Sequence, residues 1–137
     1  MPTEPTRFPY NPDRSQQEGS LPFLPIQLQF DTMWVQTTGL GDSGASINVI
    51  PYAVGLQLGA IGENQGQEIS LGGNLASAPA KGILLNVVVG PFAPVRLVFA
   101  WSRFDDFPTI LGQMNFFQAF KVSFIGAEKT FDIAPYH

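Results

Sequence analysis

The chain has no cysteine, so neither a disulfide framework nor a thiolate metal site can be built from it. Its single histidine is His137, the last residue, which leaves too few imidazoles for a zinc site. Charged residues are scarce at 13%, and 7 Lys+Arg against 11 Asp+Glu give a net charge of −4. No basic patch forms from so few cations, and nucleic acid is not an expected partner. No apolar run approaches the length needed to span a bilayer, and no signal-peptide pattern opens the chain. The expectation from these absences is a cytoplasmic protein with no membrane partner and no metal.

What is present points to a packed β protein. Hydrophobic residues make up 45% of 137 residues, with 12 Phe and 12 Pro, enough for one domain with a core and many turns. Residues 1–20 carry four prolines and a polar run, Ser15 to Ser20, and read as a flexible N-terminal arm. Phe8 and Tyr10 could dock it, but a solvated tail is expected. Residues 21–137 then form the folded domain. Ile26, Leu28 and Phe30 alternate with Gln27 and Gln29, the period-2 pattern of a strand with one wet face. A turn at Asp31-Thr32 sends the chain back through Met33 to Thr38. Ile47 to Ile50 is a short buried strand, and Tyr52 to Leu58 allow one or two helical turns stopped by Gly59. Glu68 to Leu71 alternate as a strand before a turn signal at Gly72-Gly73-Asn74. Ile83 to Val89 and Val95 to Trp101 are strong strands. Ser102 to Pro108 reads as a solvated charged loop, and Asn115 to Phe120 as a short helix capped near Asn115. Lys121 to Phe124 and Thr130 to Ile133 flank a turn at Gly126 and read as a hairpin.

The chain is organised around Gly41-Asp42-Ser43-Gly44-Ala45-Ser46, a carboxylate in a turn of small residues between two apolar segments. Three chemistries overlap there. Gly39 to Gly44 meet the pattern G-x-G-x-x-G, but a dinucleotide site needs that loop to open a long helix in a βαβ unit, and Pro51 forbids it. Gly-Asp-Ser-Gly could present Ser43 as a nucleophile, but that needs a histidine base, and only His137 with Asp132 is on offer, without the helices of a Gly-Asp-Ser hydrolase. The third is a catalytic carboxylate at Asp42, with Ser43 and Gly44 as its scaffold.

Asp42-Ser43-Gly44-Ala45-Ser46 followed by Ile47 to Ile50, then far downstream Ile110-Leu111-Gly112 before a short helix, resembles the retropepsin-like aspartic proteases. The run from Asn48 to Gly59 is most similar to bacterial members. The resemblance covers residues 23–133. It implies a mainly β, closed barrel-like fold with one short C-terminal helix. It implies a homodimer in which each chain gives one Asp42 to a catalytic pair that activates water against a peptide bond, with no cofactor. Ser43 would hold the loop through hydrogen bonds across the dimer axis, and Gly44 would allow the close approach. The hairpin tipped by Gly72, Gly73 and Asn74, with Leu75, would close on the substrate. Ile110-Leu111-Gly112 would support the catalytic loop from behind. Leu75, Ile83 and Val95 are candidates to line pockets for the peptide's side chains, though Ile83 and Val95 read at least as well as core. The chain departs from the family at Gly41, where a large apolar residue is usual. With Gly39 it weakens the strand leading to Asp42, so the alternative is a weakly active or inactive dimer of the same fold that binds peptides or partner proteins.

Overall fold

The computed structural model describes residues 3–10, 21–60 and 80–136. The Gly72–Leu75 turn, the Glu68–Leu71 strand and His137 lie outside them.

Among the described residues, nine strands and two short helices follow one another. They are β1 (Thr6–Pro9), β2 (Phe23–Phe30), β3 (Met33–Gly41), β4 (Asn48–Ile50), α1 (Tyr52–Gln57), β5 (Ala80–Val88), β6 (Val95–Ser102), β7 (Thr109–Leu111), α2 (Phe116–Ala119), β8 (Phe120–Ile125) and β9 (Thr130–Pro135). Strands β2-β3-β7-β4-β6-β5 close into a barrel, and β1-β9-β8 form a separate three-stranded sheet. The closed, mainly β architecture expected from the sequence is therefore observed.

Alternation sets the barrel. Leu24, Ile26 and Leu28 of β2, Ile83, Leu85 and Val87 of β5, and Leu97, Phe99 and Trp101 of β6 all point inward and are buried. The β2–β3 hairpin turns at Asp31, whose φ of 52° is one that Asp tolerates in a tight turn. Helix α1 starts immediately after Pro51, which supplies the extended N-cap conformation, and stops at Gly59, whose φ is +82°. Here proline begins a helix rather than interrupting one. A phenylalanine cluster fills the other end: Phe116 of α2 stands 5.1 Å from Phe120 of β8, and Phe92 stands 6.2 Å from Phe120.

Three expectations change. Residues 6–9 are not a solvated tail, because β1 pairs with β9 from Thr6↔Ile133 to Pro9↔Thr130 and Phe8 stacks on Phe131 at 5.7 Å. The prolines around it and the polar run from Ser15 to Ser20 gave this edge strand a disordered look. Strand β9 is consequently central, and among the described residues the edges of this sheet are β1 and β8 rather than both strands of the hairpin. The charged loop 103–108 is not merely solvated: Phe104 O accepts from Tyr52 N at 3.0 Å, Asp105 accepts from Ala53 N at 2.7 Å, and Phe107 packs on an apolar cluster.

The β1–β9 contact has a polar clasp. Arg7 Nε donates to Asp132 Oδ1 at 2.8 Å and Nη2 to Oδ2 at 3.1 Å, with Glu128 nearby at 3.6 Å. The hydrogen bonds from Arg7 hold the Asp132 carboxyl below its ordinary range. A carboxyl depressed in the folded state favours folding above its unfolded pKa, and that contribution is lost as pH falls through the folded value. We expect the amide chemical shifts of β1, followed by NMR, to move on acidification below the normal carboxylate range. Arg7→Met should show no such step, and an identical titration in Arg7→Met would refute the clasp.

Candidate active site

Strands β3 and β4 are joined by residues 42–47 but are not neighbours; β7 lies between them. It runs parallel to β3, with Leu40↔Ile110 and Gly41↔Leu111, and antiparallel to β4 at Val49↔Ile110. The connection therefore arches over the end of β7, and two segments far apart in sequence become one structure. The sequence expected Ile110-Leu111-Gly112 to lie behind Asp42, and they do.

The arch is fastened by hydrogen bonds to the chain after β7. Asp42 N–H donates to Leu111 O at 3.0 Å, Gln113 N–H to Ala45 O at 2.9 Å and Met114 N–H to Ser46 O at 2.9 Å. The Gln113 side chain donates to Ser43 O at 2.6 Å. Within the turn, Ala45 N–H donates to Asp42 O at 3.0 Å and Gly44 N–H to Asp42 Oδ1 at 2.9 Å. These bonds fix the carboxylate's orientation while Asp42 stays half-buried and Ser43 and Gly44 stay exposed. The Ser43 hydroxyl has no partner among the described residues, so it is available to a group from outside the chain.

Beneath the arch, contact is as close as backbone allows. A Cβ on Gly112 would stand 2.5 Å from Ile47 O and 2.8 Å from its carbonyl carbon. Beside Gly112, the buried Asn48 side chain accepts from Gly112 N–H at 2.8 Å and donates to Val98 O at 3.1 Å, tying β7's end to β6. An asparagine inside the apolar run Ile47 to Ile50 was the signal for this role, since a buried amide needs partners on both ends. Asn48→Ala leaves the buried Gly112 N–H without its partner, at about 1–3 kcal/mol, and removes the part-buried bond to Val98 O. A drop of that size in urea-unfolding free energy is the expected result, and a neutral substitution would count against the tie.

Strand β3 extends through Gly41, three residues further than the sequence suggested. Gly39 pairs with Leu24 on one side and Thr109 on the other, and a Cβ there would stand 2.8 Å from Leu111 Cδ1. Gly41 N–H donates to Pro22 O at 3.0 Å. Flanked on both sides, the segment before Asp42 is held by ladders despite its two glycines.

Of the expected pocket residues, Ile83 is buried in the main core and Val95 packs against that core. Neither faces the Asp42 loop; both follow the inward phase of their strands. The apolar surface beside the loop is instead the cluster of Val49, Ala80 and Ala100, with Ile47, Phe107 and Ile110 half-buried against it. Their alternation with core residues on the same short strands hid them.

A closed barrel in which an Asp-Ser-Gly arch spans a Leu-Gly strand end is a retropepsin-like fold. The chain is similar to a retropepsin-like aspartic protease from Rickettsia conorii, at 19% identity with a TM-score of 0.62, covering 98% of this chain and 97% of that one. It is also similar to the EIAV protease complexed with the inhibitor HBY-793, at 19% identity with a TM-score of 0.54, covering 75% of this chain and 89% of that one. No protein-family profile and no curated protein matches the sequence.

Proposed function

We propose that the chain is an aspartic endopeptidase active as a homodimer, with one Asp42 from each copy. The observation that carries this reading is the clamped arch, which presents one half-exposed carboxylate, oriented by Gly44 N–H, on an otherwise rigid strand end. A single such carboxylate cannot act as acid and base at once. Two brought within a hydrogen bond of each other cannot both ionise cheaply, so they share one proton. The charged one takes a proton from water as its oxygen attacks the peptide carbonyl carbon, and the protonated one gives its proton to the carbonyl oxygen. The tetrahedral intermediate then breaks its C–N bond as the amine leaves with a proton from the pair, and one hydroxyl of the intermediate returns its proton to the pair as the C=O re-forms. No cofactor is required by this sequence of steps. The Ser43 hydroxyls, unpartnered among the described residues, suit hydrogen bonds across the axis, and β1 and β8, the edges of their sheet among the described residues, suit strand pairing between copies.

The substrate is an extended peptide, and Ile47, Phe107 and Ile110 line its apolar side-chain contacts. The ladders around Gly39 and Gly41 favour the catalytic reading over a loosened, purely binding one. Incubation with a denatured protein mixture at acidic and neutral pH, beside Asp42→Asn, tests it by mass spectrometry. New termini are expected only with the unsubstituted chain, and equal products from both would refute it. Sedimentation should show a dimer that tightens with a peptide inhibitor; a monomer at high concentration with inhibitor present would refute the assembly.

A further inference from the structure

A cavity of about 260 Å³ lies at the end of the barrel beside α1, lined by Tyr52, Lys81, Trp101, Ser102 and Arg103. Two of its sheet residues, Lys81 and Trp101, lie on the face turned away from the Asp42 arch, while Ser102, paired with Ala80, ends β6 on the other face. Trp101 pairs with Ile50 of β4 and Lys81 of β5, so these three share one face of the sheet, the core face. Val49, Ala100 and Ala80, which adjoin the Asp42 arch, belong to the opposite face.

The cavity's charge is unusual for this chain. Only 7 Lys+Arg occur in a protein of net charge −4. Arg7 is taken by Asp132 and Glu128. Lys81 and Arg103 both line the cavity and neither makes an ion pair with a described residue. Two carboxylates follow Arg103 in the loop, Asp105, which accepts from Ala53 N–H at 2.7 Å, and Asp106, and neither forms an ion pair with Arg103 or Lys81. The aromatic part of the lining is held in place: Tyr52 and Trp101 stack at 5.4 Å and 6° between planes, and Trp101 Nε1 donates to Tyr52 O at 3.0 Å. Trp101 is buried, packed on Gly55 of α1, where a Cβ would collide with the indole. An aromatic wall excludes water from one side of a bound anion and so strengthens its attraction to the cations.

We propose that this cavity is an oxyanion site that takes a carboxylate or phosphate between Lys81 and Arg103. A guanidinium fork matches two oxygens of either group, and the ammonium adds a movable point charge. The site does not rest on the proteolytic reading, since none of its residues belongs to the Asp42 arch. The chemistry is common to a free inorganic anion and to the carboxylates of an acidic polypeptide, and one experiment separates them.

In Trp34→Phe protein, which loses an exposed indole, Trp101 is the sole tryptophan and reports from the cavity wall. Its emission is followed while sodium phosphate or a triglutamate peptide is added, against sodium chloride at matched ionic strength. A saturable change with phosphate or peptide, absent with chloride, is expected, and the tighter of the two names the source. Lys81→Met and Arg103→Met should each bind about tenfold more weakly, as befits loss of one charged hydrogen-bonding partner. Lys81→Arg should stay near the unsubstituted affinity, which separates loss of the cation from loss of packing. A response that follows ionic strength alone, or one unchanged in both methionine variants, would overturn the proposal.

Discussion

Asp42→Asn is expected to abolish peptide cleavage while leaving the fold in place. Asparagine keeps an oxygen where Asp42 Oδ1 now accepts the Gly44 N–H, so the turn retains its internal bond. It cannot ionise or pass a proton, and general acid–base catalysis of this kind is worth about 10²–10⁴-fold in rate. In the proposed dimer the variant should associate at least as tightly, because no carboxyl then has to take up a proton or face a like charge at the axis. On the proposed mechanism, cleavage by the unsubstituted chain should be bell-shaped in pH, one carboxylate charged and the other neutral, with limbs that belong to the pair. Ser43→Ala separates this chemistry from a serine nucleophile. Ser43 meets the arch through its backbone oxygen, bonded to Gln113, and not through its hydroxyl. Its loss should therefore give a weaker dimer with residual cleavage. Cleavage by Asp42→Asn at the normal rate, with Ser43→Ala inert, would reverse the assignment.

Gly112→Ala should be the most damaging single methyl group in the molecule's site. The added carbon meets backbone, Ile47 O at 2.5 Å and Ile47 N at 2.9 Å, and no rotamer change relieves that. The arch must lift, straining the Gly112–Asn48 and Asp42–Leu111 hydrogen bonds together. Overpacking of this kind costs about 1–3 kcal/mol or more. A shift of roughly 1 Å in a catalytic group costs about 10²-fold in rate. Gly41→Ala, one residue before Asp42, is the control: its Cβ would find Pro22 O at 3.5 Å and Phe124 at 3.9 Å, ordinary contacts. Urea unfolding and peptide cleavage on both variants should show Gly112→Ala impaired in both and Gly41→Ala close to unsubstituted. The opposite ranking would mean that the arch is not clamped where its geometry indicates.

The barrel could be read from the sequence because its strands alternate cleanly and its turns carry Gly, Pro and Asp where the backbone demands them. The arch was visible through its small residues and through the distant Ile110-Leu111-Gly112. Less visible were contacts that depend on three dimensions. Nothing in Thr6–Pro9 announces a strand, because its pairing and its Phe8–Phe131 stack are supplied by β9 at the far end of the chain. Gln113 reads as a surface residue until the arch brings Ser43 O within its reach. Ile83 read equally well as pocket or core, since alternation tells which residues share a face but not which face is inside. Gly39 and Gly41 read as a weak strand because propensity counts backbone entropy and cannot count ladders on both sides.

The most direct test of two chains sharing one active site is a mixing experiment. Unsubstituted and Asp42→Asn protein are combined in varying proportion at fixed total concentration, high enough to keep all chains dimeric, and peptide cleavage is measured after exchange. If each copy supplies an indispensable carboxylate, mixed dimers are inactive and the rate falls as the square of the unsubstituted fraction. A rate that falls in simple proportion to that fraction would mean that each chain works alone, and would contradict the shared site.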